Sequence, residues 1–208
     1  MKIFVTGIST DVGKTITSAI ITEALQADYW KPIQSGDLHN TDSHKVKSLI
    51  SNTKTFVHPS SYEFETPASP HLSAALENQT IDLSKIIEPE TNNHLVIEGA
   101  GGLLVPLNSN DVIADIIRAD YQIVLVATNY LGSINHTLLT IEALQSRKAS
   151  ILGIVFSGAT NESSESIILA KTGLKCIGRI EQEPYFDQNV VLEYADIFRP
   201  NLISTIEE

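Results

Sequence analysis

Near the N-terminus, the run Gly7-Ile8-Ser9-Thr10-Asp11-Val12-Gly13-Lys14-Thr15 combines the groups that hold a polyphosphate. Glycines let backbone N–H groups converge on an anion, and a following helix adds the positive end of its dipole. Lys14 can reach terminal phosphates, and the Thr15 hydroxyl can ligate Mg²⁺. Five residues, not the usual four, separate Gly7 from Gly13, so the loop is one residue wider than the common pattern. A carboxylate is needed to complete a Mg²⁺ shell. Glu98 directly follows the apolar run Leu95-Val96-Ile97 and precedes Gly99-Ala100-Gly101-Gly102, small residues that permit close backbone approach to a ligand. Asp42 and Asp11 are further carboxylates, although a carboxylate taken alone in an acidic chain is most often solvated surface. Lys31, inside Tyr29-Trp30-Lys31-Pro32-Ile33-Gln34-Ser35-Gly36, has two readings. It is a second cation facing the same cleft as Lys14, where it stabilises charge moving between phosphate oxygens, or a lysine that guards a sheet edge.

Such groups need a frame that converges on one point. The apolar, β-branched stretch 3–6 predicts a strand stopped by Gly7, and 15–25 predicts a helix with Ile16, Ile20 and Ala24 on one face. Continuous apolar runs at 95–97, 123–127 and 151–156 have the character of strands covered on both faces, hence of a parallel sheet. Residues 29–36 read as a further strand ending in a turn. Helical patterns fall at 112–118, at 134–146 with Leu138, Ile141 and Leu144 on one side, and at 163–172, where Gly173 caps the end. The alternation predicts an α/β fold, a single-domain doubly wound and mostly parallel sheet with helices on both faces. One domain is expected over 1–208. Within it, 36–94 is broken by Pro59, Pro67, Pro70 and Pro89 and reads as an irregular insertion over the sheet, helical only at 45–50 and 71–76. The stretch after Glu181 carries no readable pattern.

Of the 208 residues, 42% are hydrophobic and 19% charged, enough for a core without disulfide or metal staples. Lys plus Arg number 14 against 25 Asp plus Glu, a net charge of −11 that disfavours nucleic acid or an anionic membrane as partner. The single cysteine, Cys176, excludes a disulfide framework and a multi-cysteine zinc site and fits a reducing compartment. The expectation is a soluble cytoplasmic protein, with neither a signal segment nor the ~20 apolar residues of a membrane span.

The Asn-Lys-x-Asp and Asp-x-x-Gly strings of guanine-specific GTPases are absent, and Ile8, Ser9 and Thr10 supply no extra lysine of the kind found early in the loop of partition-type ATPases. What does occur, in order, is the wide loop 7–15, Lys31-Pro32-Ile33-Gln34-Ser35-Gly36, Pro67-Ala68-Ser69-Pro70-His71, Glu98-Gly99-Ala100-Gly101-Gly102 with Pro106-Leu107, and Leu131-Gly132-Ser133-Ile134-Asn135-His136. These motifs, spread over roughly the first 160 residues, resemble the dethiobiotin synthetase family.

The resemblance implies a P-loop NTPase-type domain and an ATP-dependent carbon–nitrogen ligase of biotin synthesis. The enzyme would convert 7,8-diaminononanoate, CO₂ and MgATP to dethiobiotin, ADP and phosphate through a carbamate and a carbamic-phosphoric anhydride. It also implies roles for residues. Lys31, Lys14 and Thr10 would be catalytic, and Thr15, Asp42 and Glu98 would hold Mg²⁺. Asp11, Val12, Gly13, Lys14, Thr15 and Ile16 would bind the nucleotide together with Glu98, Gly99, Ala100 and Gly101. Thr10, Lys31 and Ser35 would touch substrate, whose carboxylate would sit at the helix start Gly132, Ser133, Ile134 and Asn135 across a homodimer interface. Two departures mark the base end: Ser157-Gly158 stand where the family often has Asn-Asp, and Glu181, followed by Gln182 and Glu183, where it usually has proline. One hydroxyl cannot make the two-point contact of an amide, so ATP preference is relaxed or supplied by backbone groups. His71 and His136 read as packing histidines. The competing readings are a partition or regulatory ATPase acting through a protein partner, and an amide-forming ligase, which would need a glutaminase domain for which the chain has no room.

Overall fold

In the computed structural model, which describes residues 1–206, the chain runs β1 (Lys2–Gly7), α1 (Lys14–Leu25), β2 (Asp28–Trp30), β3 (Ile33–Ser35), α2 (Asp42–Leu49), β4 (Val57–His58), β5 (Tyr62–Phe64) and α3 (Pro70–Leu76). It continues through β6 (Leu95–Gly102), β7 (Tyr121–Thr128), α4 (Ser133–Ser146), β8 (Ser150–Ser157), α5 (Glu162–Thr172), β9 (Cys176–Ile180) and α6 (Gln188–Ile206). Seven strands pair in parallel in the order β4-β2-β6-β1-β7-β8-β9. The early strands lie to one side of β1 and the late ones to the other. The direction of winding therefore reverses beside β1, and ligands of such sheets bind in the crevice outside the carboxyl ends at that point.

The sheet is covered on both faces, which is why its strands read as unbroken apolar runs. Ile3 and Val5 pack into one cluster with Ala19, Ile20 and Ile21 of α1, whereas Phe4, between them, joins Trp30, Ile97 and Ile113 in the other, the period of two that a pleated strand imposes. α6 adds Val191, Ala195, Phe198 and Leu202 to the first cluster. Burying a large apolar side chain is worth roughly 1.5–3 kcal/mol, so α6 is an integral wall of the domain. It packs along α1 with Pro200 inside it, and a proline in a helix interior is the reason its pattern is hard to read.

The expected strand over 29–36 splits into two. Pro32 has no N–H to donate, and the chain leaves the main sheet there. β3 pairs in parallel with β5 in a separate two-stranded sheet while the carbonyl of Pro32 accepts the amides of Ser61 and Tyr62. Residues 36–94 do not lie wholly over the sheet, because β4 extends its edge beside β2. The expected helix at 112–118 is a 3₁₀ turn, Ile113–Ile116, closed by the Asp115 carboxylate accepting the Val112 amide at 2.8 Å. α4 and α5 start one residue earlier than expected, and Gly173 caps α5. Among the described residues, no helix is long and apolar enough to cross a membrane.

Candidate active site

The phosphate loop joins β1 to α1 at the crevice. Gly13 holds φ 92, in the left-handed region, and a Cβ on it would come within 2.5 Å of the Ser157 Oγ at the end of β8. Glycine is therefore required there twice over, by conformation and by space. Lys14 lies buried along its own loop and donates from Nζ to the Ser9 carbonyl at 2.9 Å. Burial holds it below the ordinary lysine value, with Lys31 adding to that effect and Glu98 opposing it.

Glu98 is 1% exposed and lies within β6, opposite Val5 of β1, not after the strand as expected. β6 runs on through Gly102, with a register shift between Val5 and Gly7 of its partner. Glu98 Oε1 accepts the Thr15 hydroxyl at 2.9 Å and Lys31 Nζ at 3.0 Å, and Oε2 accepts the Tyr29 hydroxyl at 2.8 Å. Burial first, and then the Glu98 charge, keep Tyr29 protonated well above the ordinary tyrosine value.

Lys31 is 5% exposed and ion-paired with Asp42 and Glu98, so it guards no sheet edge. Burial opposes its charge, but Glu98 and Asp42 outweigh burial and hold Lys31 above the ordinary lysine value. Asp42 is delivered by a cap. Thr41 accepts the His44 amide at 3.1 Å while the His44 ring accepts the Thr41 amide at 3.3 Å, which starts α2 at Asp42, three residues before the expected 45. A carboxylate in the first turn is favoured by the helix dipole. Burial raises the Asp42 carboxyl, but Lys31 and then Lys45 pull it below its ordinary value.

These groups line one cavity of about 860 Å³. Thr10, Asp11, Gly13, Lys14, Thr15 and Ile16 come to it from the loop and α1, Ala100, Gly101 and Glu98 from β6, and Lys31, Ser35 and Asp42 from the opposite wall. Pro67, Ala68, Ser69 and Pro70 close it, brought in because Gly36, at φ 74, leaves room for Pro67 where a Cβ would lie 2.6 Å away. The buried Ser35 hydroxyl has no hydrogen-bond partner among the described residues. The sequence reading missed Lys45, which bridges Asp37 at 2.9 Å and Asp42 at 3.5 Å, and Gln34, which accepts the Asp42 amide at 3.3 Å. The three-residue step from Asp42 to Lys45 on one helix was the available signal.

Other expected residues lie outside this cavity. Val12 and Gly99 are buried beside it. Gly132, Ser133, Ile134 and Asn135 begin α4 next to a second groove of about 450 Å³, lined by His136, Leu139 and Leu104 and sharing Thr10 with the first. Ser157 reaches the phosphate loop at Gly13, whereas Gly158 donates its amide to Ile180 at 2.9 Å and Arg179 donates to the Gly158 carbonyl at 2.9 Å. Glu181 and Glu183 are tied to the Tyr194 hydroxyl of α6, and Gln182 between them is exposed. His136 pairs with the Tyr130 hydroxyl at 2.7 Å and His71 with Ser69 Oγ at 3.1 Å.

The donor set fits Mg²⁺. Thr15, Asp42 and Glu98 offer hard oxygens beside a phosphate-binding loop, and Mg²⁺ is usually held by one or two carboxylates plus substrate phosphates.

A family model described as an AAA domain matches residues 1–190. Among solved structures, the septum site-determining protein MinD of Pyrococcus horikoshii complexed with Mg-ADP has a TM-score of 0.58 at 13% identity, covering 100% of this chain and 94% of that one. A plasmid partition protein of Borrelia burgdorferi bound to AMPPNP has 0.58 at 12%, covering 99% and 98%. At such identity the likeness is one of fold. Sequence relatives are far nearer. The ATP-dependent dethiobiotin synthetase BioD of Christiangramia forsetii is 54% identical over 199 residues, 96% of either chain, and that of Cytophaga hutchinsonii is 50% identical over 196, covering 93% of this chain and 95% of the relative. With identity of that order along almost the whole length, and with a loop, a paired lysine and a buried carboxylate around one cavity, the chain belongs to the dethiobiotin synthetase family.

Proposed function

We propose that the protein is an ATP-dependent ligase that closes the cyclic urea of dethiobiotin from 7,8-diaminononanoate and CO₂, with Lys31 as its principal catalytic cation. The observation that carries this is the pairing of buried Lys31 with Asp42 and Glu98 on the wall of the cavity that also holds Lys14. A partition ATPase has no need of a second buried lysine opposite its phosphate loop. One substrate amine adds to CO₂ and loses a proton, giving a carbamate. A carbamate oxygen then attacks the γ-phosphorus, the bond to the β-bridging oxygen breaks, and ADP leaves behind a carbamic-phosphoric anhydride. The second amine attacks the carbonyl carbon, the C–O bond to phosphate breaks, and loss of a proton leaves the cyclic urea. The chemistry calls for positioning and charge neutralisation. Lys14 takes the terminal phosphates once released from the Ser9 carbonyl, and Lys31 takes the transferring oxygens in exchange for its carboxylates. Bound at Thr15, Asp42 and Glu98, Mg²⁺ supplies charge neutralisation on the phosphates.

Thr10 and Ser35 contact substrate in this reading, and the unpartnered Ser35 hydroxyl supports it. Asp11, Val12, Gly13 and Ile16 wrap the phosphates, Gly99, Ala100 and Gly101 give close backbone approach, and Ser157, Gly158, Glu181, Gln182 and Glu183 form the base end. The substrate carboxylate sits at the start of α4, an anion at a helix N-terminus, in a homodimer. The exposed Leu131, Leu139 and Leu104 around that helix start support a second copy there, and a free, exposed Cys176 fits the cytoplasm. Incubation with MgATP, bicarbonate and 7,8-diaminononanoate should yield dethiobiotin by mass spectrometry. No product from folded protein that binds MgATP would overturn the proposal.

A further inference from the structure

Every oxygen of Glu98 is already in use. Oε1 accepts two donors, Thr15 and Lys31, and Oε2 accepts one, Tyr29. An ionised carboxylate offers about four lone-pair sites, so the vacancy that remains is on Oε2, the oxygen that Tyr29 holds. The three donors differ in what the reaction asks of them. Thr15 lies in the phosphate loop and Lys31 faces the cavity, so both have other uses once nucleotide and carbamate bind. Tyr29 does not line the cavity. It is 0% exposed, sits in β2 and packs its ring into the core cluster of α1. A phenol buried so completely is costly unless it is hydrogen-bonded, and phenylalanine would fill the same space. Among the described residues, Glu98 is the one hydrogen-bond partner of the Tyr29 hydroxyl.

We infer that Tyr29 is a positioning residue for the metal ligand: its hydroxyl holds the Glu98 carboxylate from beneath the site, so that the orientation of Glu98 survives when Thr15 and Lys31 turn to nucleotide and substrate. This rests on the reading of Glu98 as a Mg²⁺ ligand. Hydrogen-bond partners behind a ligating group typically account for 10–100-fold in metal affinity, and Tyr29 is the partner that can remain throughout the cycle.

The test is Tyr29→Phe, which keeps the ring and removes one oxygen. ADP binding is measured by calorimetry with Mg²⁺ and again with EDTA, for the native protein, Tyr29→Phe, Glu98→Gln and the double variant. Tyr29→Phe should weaken binding about ten-fold with Mg²⁺, leave it unchanged in EDTA, and raise the half-saturating Mg²⁺ concentration of turnover by the same factor. In the Glu98→Gln background the substitution should add nothing. A merely structural role would weaken both ADP titrations alike and overturns the inference, as does a Mg²⁺-dependent loss that persists when Glu98 is already Gln. If Glu98→Gln is sensitive and Tyr29→Phe is not, the inference falls and the reading of Glu98 stands. If Glu98→Gln itself is insensitive, that reading falls and takes the inference with it. Should Tyr29→Phe fail to fold, a crystal structure of the native protein with MgADP decides: the Tyr29–Glu98 hydrogen bond retained supports the inference, and its loss overturns it.

Discussion

Strand β2 is flanked by two buried charges that the fold uses in opposite ways. At its start Asp28, 6% exposed, accepts the Thr91 hydroxyl at 2.6 Å, the Phe56 amide at 3.0 Å and the Asn93 side-chain amide at 3.3 Å, with His58 Nε2 at 3.4 Å. Just past its end Lys31, 5% exposed, is gripped by two carboxylates at a cavity shared with a second lysine. Burial and the magnitude of the charge are nearly equal at the two ends, the signs opposite. What differs is the partner. Donors from two chain segments, 56–58 and 91–93, absorb the Asp28 charge into structure and bind β4, the Thr91 turn and β2 together. A counter-charge, by contrast, can be exchanged for a phosphate or carbamate of like sign, so in the proposed reaction Lys31 is stabilised at rest and available to substrate. The end at which each sits follows from the parallel sheet, whose carboxyl edge receives the loops and helix N-termini that bind ligands.

Removing the charge at the Lys31 end should have the largest consequence. Lys31→Ala is expected to lower kcat about a thousand-fold, with circular dichroism confirming a folded protein. Turnover within a few-fold of native would break the contrast outright. Next in size, Glu98→Gln should raise the half-saturating Mg²⁺ concentration by about 10–100-fold, read from turnover against Mg²⁺ at fixed ATP. An unmoved titration curve removes Glu98 from the metal shell.

How much of this was readable beforehand follows from which contacts are local. The phosphate loop is contiguous, and the strands 95–97, 123–127 and 151–156 stood out because both faces of the sheet are covered. Lys31 belongs to a motif and Asp42 stands outside the motifs as a single carboxylate, and their pairing spans the break at Pro32 and a helix start set by Thr41 and His44. Tyr29 meets Glu98 across 69 residues, a register relation between β2 and β6 that no spacing rule exposes. α6 went unread because Pro200 interrupts its pattern and its apolar face has meaning only against α1. Ser157 is 144 positions from Gly13 along the chain (157 − 13), yet packs on it.

The proposed base end offers a smaller effect. Ser157 has one hydroxyl, Gly158 has no side chain, and the Gly158 carbonyl is taken by Arg179. The one side-chain amide there, on Gln182, is exposed, so a wrong base leaves no buried amide unpaired and discrimination is weak: kcat/KM for ATP should exceed that for CTP by less than about ten-fold. Product formation with ATP, CTP and GTP measures this, and a preference of several hundred-fold would mean that backbone groups read the base unaided.

The smallest change in turnover, and the sharpest control, belongs to Asp28. Asp28→Asn turns one acceptor into a donor facing donors, which should cost about 1–3 kcal/mol of stability and leave kcat and KM as they were. Burial pushes the Asp28 carboxyl upward, but the Thr91 hydroxyl, the Phe56 amide, Asn93 and His58 outweigh it and hold the carboxyl below its ordinary value. A depressed folded-state value means that the unfolded chain takes up the proton first as pH falls. The stability Asp28 contributes is therefore complete above the ordinary carboxyl range near pH 4 and is lost as pH drops through the folded-state value. Melting temperatures of the native protein and Asp28→Asn should accordingly differ at neutral pH and converge as pH falls through the folded-state value. Parallel curves would show that the charge itself is idle there, and a variant that melts normally but turns over poorly would place both ends of β2 in the active site.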